Sequence, residues 1–480
     1  MNKKNVAVNY IYNLIYQILL ILVPLITTPY LSRTLGAEGI GEYSYAEALA
    51  TYFVLAATMG ITYYGQREIA YLQDDKDKEK RTQLFWETKS LTLVISLIVL
   101  VAYIFLAFLQ DNIPLYLVLS INIINVFFDI TWLYQGMEDF SIITTRNGFF
   151  KLLNIIYIFV FIKNRDDVVI YALGVSGMAI LANMSLWKKL PQYIGKPKLS
   201  MFRPFKNIKV IISLFIPTIA IQVYTVLDKT MIGVITGSQA QNGYYDQAIR
   251  LSKVVLTLVT ALGTVMIPQI GYHYKKKETE LVRSFLYRGY NFVWFLGIPL
   301  CFGLIGTASN IVPWFYGEGF EEVIYLLSTL SFLILAIGIN NVTGIQYLIP
   351  TERQNAFTFT VILGACANFA MNLVLIPKFQ ARGAAIASVF AETLIAIVQL
   401  IIIRKEISIP KIIIMSWKYF VSGLIMFGVL KFEGRYLSPN WYNSVIMFVT
   451  GAMIYFVMLL ILKDKFLIQY CAKIINKIKK

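Results

Sequence analysis

The chain has 480 residues, of which 58% are hydrophobic and only 15% charged, with a mean hydropathy of +0.64. That balance excludes a soluble globular enzyme and places the chain among polytopic membrane proteins. The net charge of +16 does not argue for nucleic acid, because lysines and arginines fall into alternate loops. Cys301, Cys366 and Cys471 lie far apart and His273 is the one histidine, so neither a disulfide framework nor a zinc site is expected, and no cofactor.

A spanning helix needs roughly 20 mostly apolar residues. About fourteen such segments are read, at 9–30, 43–64, 84–109, 113–134, 145–162, 168–187, 208–235, 244–270, 286–306, 323–346, 356–376, 383–403, 411–430 and 443–462. The N-terminus, MNKKNVAVNYIYN, runs into the first apolar stretch without a small-residue cleavage site and is expected to be a span, not a removable signal.

The stretch Pro24–Ala70 joins the first two apolar runs at a turn holding Gly36, Gly39 and Gly41. Its layout returns about two hundred residues later, with Gly36 over Gly237 and Tyr43 over Tyr244. A second match lays WLYQGMEDF over QYLIPTERQ, bringing Glu138 onto Glu352 and Asn154 onto Asn368. Two matches at corresponding places argue for a duplicated helical architecture. The expected organisation is an N-lobe of six spans (1–187), a basic linker (188–209), a C-lobe of six spans (210–403), and two further spans with a basic tail (404–480).

Several spans carry polar residues at helical spacing, which puts them on one face. These are Asn9, Asn13 and Gln17; Asn122, Asn125 and Asp129; Asn147, Lys151 and Asn154; Thr218, Gln222, Thr225 and Lys229; Asp246, Arg250 and Lys253; and Ser388, Glu392 and Gln399. A charge at the hydrocarbon centre costs roughly 2.5–3.5 kcal/mol, so Asp228, Lys229, Arg250 and Lys253 together would cost about 10 kcal/mol facing lipid. They must face one another, the interface or water, and a wet cavity between the lobes meets all three conditions. Asp129 with Lys151, and Asp246 with Arg250, are as well explained by structural pairing. Lys229 and Lys253 share only Asp228 nearby, which favours an anionic ligand such as phosphate. Glu47, Asp129, Asp228, Asp246 and Glu392 offset the cations and are candidates for binding Na⁺ or carrying protons.

Basic residues number thirty in one set of loops and seven in the other, so the positive-inside rule puts both termini in the cytoplasm. No GxxxxGK[ST], GxSxG or HExxH occurs, so neither ATP hydrolysis nor another enzymatic activity is expected.

The residues TPYLSRTLGAEGIGEYSYAEAL, YYGQREIA and WLYQGMEDF resemble the polysaccharide repeat-unit flippases, the Wzx-like branch (O-antigen, capsule and exopolysaccharide) of the multidrug/oligosaccharidyl-lipid/polysaccharide exporter superfamily. The resemblance implies an all-α, V-shaped bundle with a central cavity. It further implies that undecaprenyl-pyrophosphate-linked oligosaccharide crosses from the inner to the outer leaflet of a bacterial cell membrane by alternating access, with ion coupling and with polysaccharide polymerase machinery as a partner. On that reading Lys151, Lys229, Arg250, Lys253, Asn13, Gln17, Gln222 and Asn154 meet the pyrophosphate and sugars. A peptidoglycan-precursor flippase or a drug/cation antiporter of the same superfamily is the first alternative, and a membrane polymerase or glycosyltransferase the second.

Overall fold

The computed structural model describes residues 3–261 and 263–468. The chain is helical, with no strand among the described residues. Eight helical runs among them are long and apolar enough to cross a membrane, and the chain is a multi-pass membrane protein. It divides into two compact units, Met1–Gly233 with Ser238–Gly243, and Val234–Gly237 with Tyr244–Lys480.

The first unit holds α1 (Lys3–Thr58), α2 (Ile61–Ala70), α3 (Lys78–Ala107), α4 (Ile113–Leu119), α5 (Ile121–Phe128), α6 (Thr131–Gly136), α7 (Phe140–Phe161), α8 (Val168–Leu186), most of α9 (Ile208–Thr236) and the first turn of α10 (Gln239–Thr260). A cluster of buried side chains including Ile69, Phe85, Trp132, Tyr134 and Leu186 closes one end of this unit. At that end Arg81, 1% exposed, donates from Nε to the Tyr193 carbonyl (3.0 Å) and from Nη1 to that of Leu72 (2.7 Å). An arginine can be buried here because its fork saturates carbonyls that would otherwise be orphaned.

The second unit holds the rest of α10, α11 (Gly263–Lys275), α12 (Thr279–Phe292), α13 (Ile298–Tyr316), α14 (Glu322–Leu330), α15 (Leu333–Asn340), α16 (Gln354–Ile402), α17 (Ile409–Glu433) and α18 (Trp441–Ile461). Two π-helical segments, Val293–Gly297 and Asn341–Leu348, follow α12 and α15. Arg283 on α12 donates from Nε to the Glu406 carbonyl (2.9 Å), as Arg81 does to Tyr193 in the first unit. Glu406 is also held bidentately by Arg353, at 2.7 and 2.8 Å, and by the Tyr347 hydroxyl.

The duplicated sequence features share a backbone geometry. Gly36 and Gly237 both take positive φ, 68° and 63°, a conformation glycine adopts without a Cβ penalty. Glu138 and Glu352, matched in the second overlay, also take positive φ, 57° and 63°, which is uncommon for a side-chain-bearing residue. The turns around them close alike: Asp139 N donates to Tyr134 O and Arg353 N to Leu348 O, each at 2.9 Å, the helix-ending pattern that satisfies a terminal carbonyl. The loops expected near residues 36 and 380 are single-residue breaks inside α1 and α16, at Gly36 (φ 68°, ψ 178°) and Gln380 (φ 51°, ψ −131°).

Beyond Gly36, α1 crosses the start of α10 with almost no side-chain separation. A Cβ on Gly41 would lie 1.7 Å from the Gln239 carbonyl oxygen, and one on Gly243 2.0 Å from that of Ala37. Both obstacles are backbone, so neither can rotate away. Gly41→Ala or Gly243→Ala is therefore expected to lower the melting temperature in detergent, at a cost of about 3 kcal/mol from overpacking. Gly177→Ala, in α8 with nothing within 4 Å of the new Cβ, should leave it unchanged or raise it.

Burial raises the Glu406 carboxyl, but hydrogen bonds from Arg353 and Tyr347 outweigh that and leave its pKa below the usual value. A depressed carboxyl contributes stability above its unfolded pKa and loses it as pH falls through the folded one. Glu406→Gln should lower the melting temperature at neutral pH and flatten its decline through the acid range. An acid limb identical to that of the unchanged protein would exclude this cluster as a contributor.

Candidate functional site

A helix that stops inside a span leaves carbonyls with no partner, and in hydrocarbon only the protein itself can supply donors. The run Ile113–Gly136 is such a span. It is interrupted where α5 ends at Asp129, whose backbone is extended (φ −70°, ψ 112°), before α6 begins at Thr131. Lys89 on α3, 2% exposed, donates to the carbonyls of Phe127 (2.6 Å) and Asp129 (2.7 Å). The Trp187 indole donates to the Phe128 carbonyl (2.8 Å), and Asp129 Oδ1 accepts from the Thr131 amide (2.8 Å). The ammonium also sits 5.5 Å from the Phe127 ring centroid and 5.9 Å from that of Trp187, a favourable placement for a desolvated cation.

The break opens a polar cavity of about 130 Å³, lined among others by Lys89, Asp129, Asn122, Asn125, Asn183 and Thr92. The fourth-span stripe of Asn122, Asn125 and Asp129 therefore meets in one place. From it a relay runs outward: Asn183 donates to Asn125 (2.9 Å), and Arg146 on α7 donates to Asn183 (2.5 Å) and to Asn147. The cavity is too small for a sugar chain, since ligand pockets run to roughly 300–1,000 Å³. It suits water or a small ion.

Asp129 and Lys151 form no ion pair among the described residues; Asp129 is engaged by the helix break instead. Lys151 is half-buried on α7, near Asn154, whose buried Oδ1 has no hydrogen-bond partner. Glu47 has a partner one turn back in its own helix, the Tyr43 hydroxyl at 3.3 Å. Asp228 is 8% exposed, while Lys229 gives its carbonyl to the Asn242 amide (2.9 Å). Asp228, Lys229 and Lys253 all have partners within the fold. Gln222 is exposed. Asn13 and Gln17 lie outside the residues whose side chains are described.

In the second unit the Asp246–Arg250 pair forms as its i,i+4 spacing predicts, at 2.6 Å. Asp246 is 1% exposed and the Arg250 side chain 44%, so a buried carboxylate anchors an accessible guanidinium. Lys253, one turn on, is exposed. Glu392 accepts from Asn340 Nδ2 (2.5 Å), and Tyr245 and Ser388 share a hydrogen bond of 3.1 Å.

The sequence model described as Polysaccharide biosynthesis protein matches residues 6–272, more than half of the chain. The chain belongs to that family. Family membership agrees with the resemblance read from the TPYLSRTLGAEGIGEYSYAEAL and WLYQGMEDF stretches. A protein of Escherichia coli (strain K12) assigned by its name as an O-antigen transporter is 25% identical over 415 residues, covering 84% of this chain and 98% of its own. A protein of Haloferax volcanii assigned as a low-salt glycan biosynthesis flippase is 23% identical over 271 residues, 55% of each chain. Among solved structures, the lipid II flippase MurJ in an inward closed conformation shares the fold, with a TM-score of 0.73, 16% identity, and coverage of 95% of this chain and 99% of that one.

Sequence reading missed Lys89, Arg146 and Asn183. Lys89 and Glu87 stand in the otherwise apolar run 84–109, so the cost of an intramembrane charge was the signal available for Lys89. Its partners are backbone carbonyls, which no side-chain tally reveals. Lys89→Met keeps the volume and removes the donor, leaving two carbonyls orphaned at about 1–3 kcal/mol each. A marked fall in melting temperature is expected; an unchanged one would show that the break is satisfied by other means.

Proposed function

We propose that this family member is a flippase that moves undecaprenyl-pyrophosphate-linked oligosaccharide repeat units from the cytoplasmic to the outer leaflet of a bacterial plasma membrane, by alternating access, for surface polysaccharide synthesis. Both termini are cytoplasmic on this reading, from the excess of lysine and arginine in one set of loops. The structural observation that carries it is the pair of accessible cations on α10, Arg250 at 44% exposure over its buried anchor Asp246, with Lys253 one turn away. Cations so placed suit a pyrophosphate, because a guanidinium can bind it bidentately while an ammonium adds point charge. The assigned transport of O-antigen by a relative covered over 98% of its length supports the cargo class.

The half-buried Lys151 and the amides Asn154 and Gln222 serve the polar headgroup in the same reading, and the lipid tail stays in the bilayer. Coupling to a Na⁺ or H⁺ gradient is assigned to the intramembrane carboxylates Glu47, Asp129, Asp228, Asp246 and Glu392. Asp228 and Asp246 are buried, whereas Glu47, Asp129 and Glu392 are partly exposed, and an ion binding at the buried pair replaces a solvation shell the bilayer cannot supply.

Arg250→Ala and Lys253→Ala are each expected to reduce surface polysaccharide about ten- to hundredfold, the loss of one charged hydrogen bond of roughly 1.5–3 kcal/mol, with the protein still reaching the membrane. Full export in both single variants and in the double variant would remove α10 from the cargo path. Flipping of a fluorescent lipid-linked oligosaccharide in reconstituted vesicles reads coupling directly. There Glu47→Gln and Glu392→Gln should weaken the response to an imposed gradient, and an unaltered ion dependence would rule those two out.

A further inference from the structure

The second unit carries a basic hollow that the cargo reading does not use. It has a volume of about 360 Å³ and is lined by Glu280, Arg283, Ser284, Tyr287, Arg288 and Lys411 among others. These residues sit in the first three turns of α12 and the first turn of α17, near the starts of two helical runs long enough to cross a membrane, Thr279–Tyr316 and Ile409–Glu433. Three cations thus stand against one carboxylate at the boundary of the membrane.

The one carboxylate is committed: Glu280 accepts from Arg283 Nη1 at 2.8 Å, and Arg283 Nε is taken by the Glu406 carbonyl. Arg288 and Lys411 are different. Both are exposed, and their charged groups stand over aromatic rings: the guanidinium carbon of Arg288 is 5.8 Å from the Phe285 ring centroid, and Lys411 Nζ is 4.3 Å from that of Tyr287. Aromatic faces orient a cation without neutralising it. The Tyr287 hydroxyl accepts from Ser408 N (2.9 Å), and its O–H is not used by that bond. Immediately beyond Lys411, Ile413 and Ile414 are 62% and 65% exposed and form an apolar surface.

We propose that this hollow binds the phosphodiester headgroup of an anionic glycerophospholipid, with Arg288 and Lys411 on the phosphate, Tyr287 donating to it, and the acyl chains along Ile413 and Ile414. Basic pockets between membrane helices recognise lipid phosphates in this way. The proposal is independent of the cargo reading, because it invokes neither α10 nor the intramembrane carboxylates.

The test is the number and strength of lipids retained by purified full-length protein from mixed micelles of phosphatidylglycerol or phosphatidylcholine, counted by native mass spectrometry. The unchanged protein should hold at least one phosphatidylglycerol more firmly than any phosphatidylcholine. Arg288→Gln with Lys411→Gln should weaken that retention by about fivefold per charge, the equivalent of about 1 kcal/mol for each basic residue near a lipid surface. Lys275→Gln, an exposed cation outside the hollow, should change it little; an equal loss there would mean a diffuse field and overturn the site. Equal retention of both lipids, or no effect of the double variant, would also overturn it. Displacement by inorganic phosphate would reduce the site to a free-phosphate site, and displacement by an equal amount of undecaprenyl phosphate would reassign it to the carrier lipid. Should the double variant fail to fold, the single variant Arg288→Gln is read against Arg288→Lys, which keeps the charge and should retain the lipid.

Discussion

Hydrocarbon offers no hydrogen bonds, and the first unit is arranged around that deficit at one place, the break between α5 and α6. Three successive carbonyls, from Phe127 to Asp129, are met by the Lys89 ammonium and the Trp187 indole, and the chain restarts with Asp129 holding the Thr131 amide. A non-helical backbone at this depth survives only where protein surrounds it or where it borders a polar hollow. Here both conditions hold, because the same residues line the cavity.

The second unit meets the corresponding stretch differently. The Glu138 and Glu352 turns share their left-handed conformation and closing hydrogen bonds. Upstream of Glu352, however, the chain runs as a π-helix from Asn341 to Leu348, with the buried Tyr290 and Thr343 hydroxyls bonded at 2.8 Å. A wider helical turn keeps carbonyls paired within the chain, so no buried cation is needed. The two stretches thus differ in how their backbone is satisfied, with a buried cation at Phe127–Asp129 and a π-helical run with a neutral hydroxyl pair at Asn341–Leu348.

The charged groups fall into three physical settings. Lys89 is locked to backbone and Arg81 to loops, and both hold the structure together. Asp246 is buried so that Arg250 is held outward, a geometry that spends a carboxylate on orienting a cation. Arg288 and Lys411 rest on aromatic rings at the membrane boundary. The last two settings leave a cation able to meet an outside anion, and they lie on different helices.

Composition and the spacing of polar residues in apolar runs made the membrane class and all-α fold legible, because the bilayer penalises every unpaired charge in a way that leaves few alternatives. The turn positions matched in the sequence, Gly36 with Gly237 and Glu138 with Glu352, share positive φ, a local backbone feature that a sequence overlay can register. The i,i+4 pairing of Asp246 with Arg250 is local and therefore visible in one dimension. What the tertiary structure alone decided is which partner each remaining charge takes. Asp129 takes the Thr131 amide instead of pairing with Lys151, and Lys89 bonds to carbonyls 38 and 40 residues away. Backbone acceptors carry no residue identity, and contacts between distant helices carry no spacing, so neither leaves a trace in the order of amino acids.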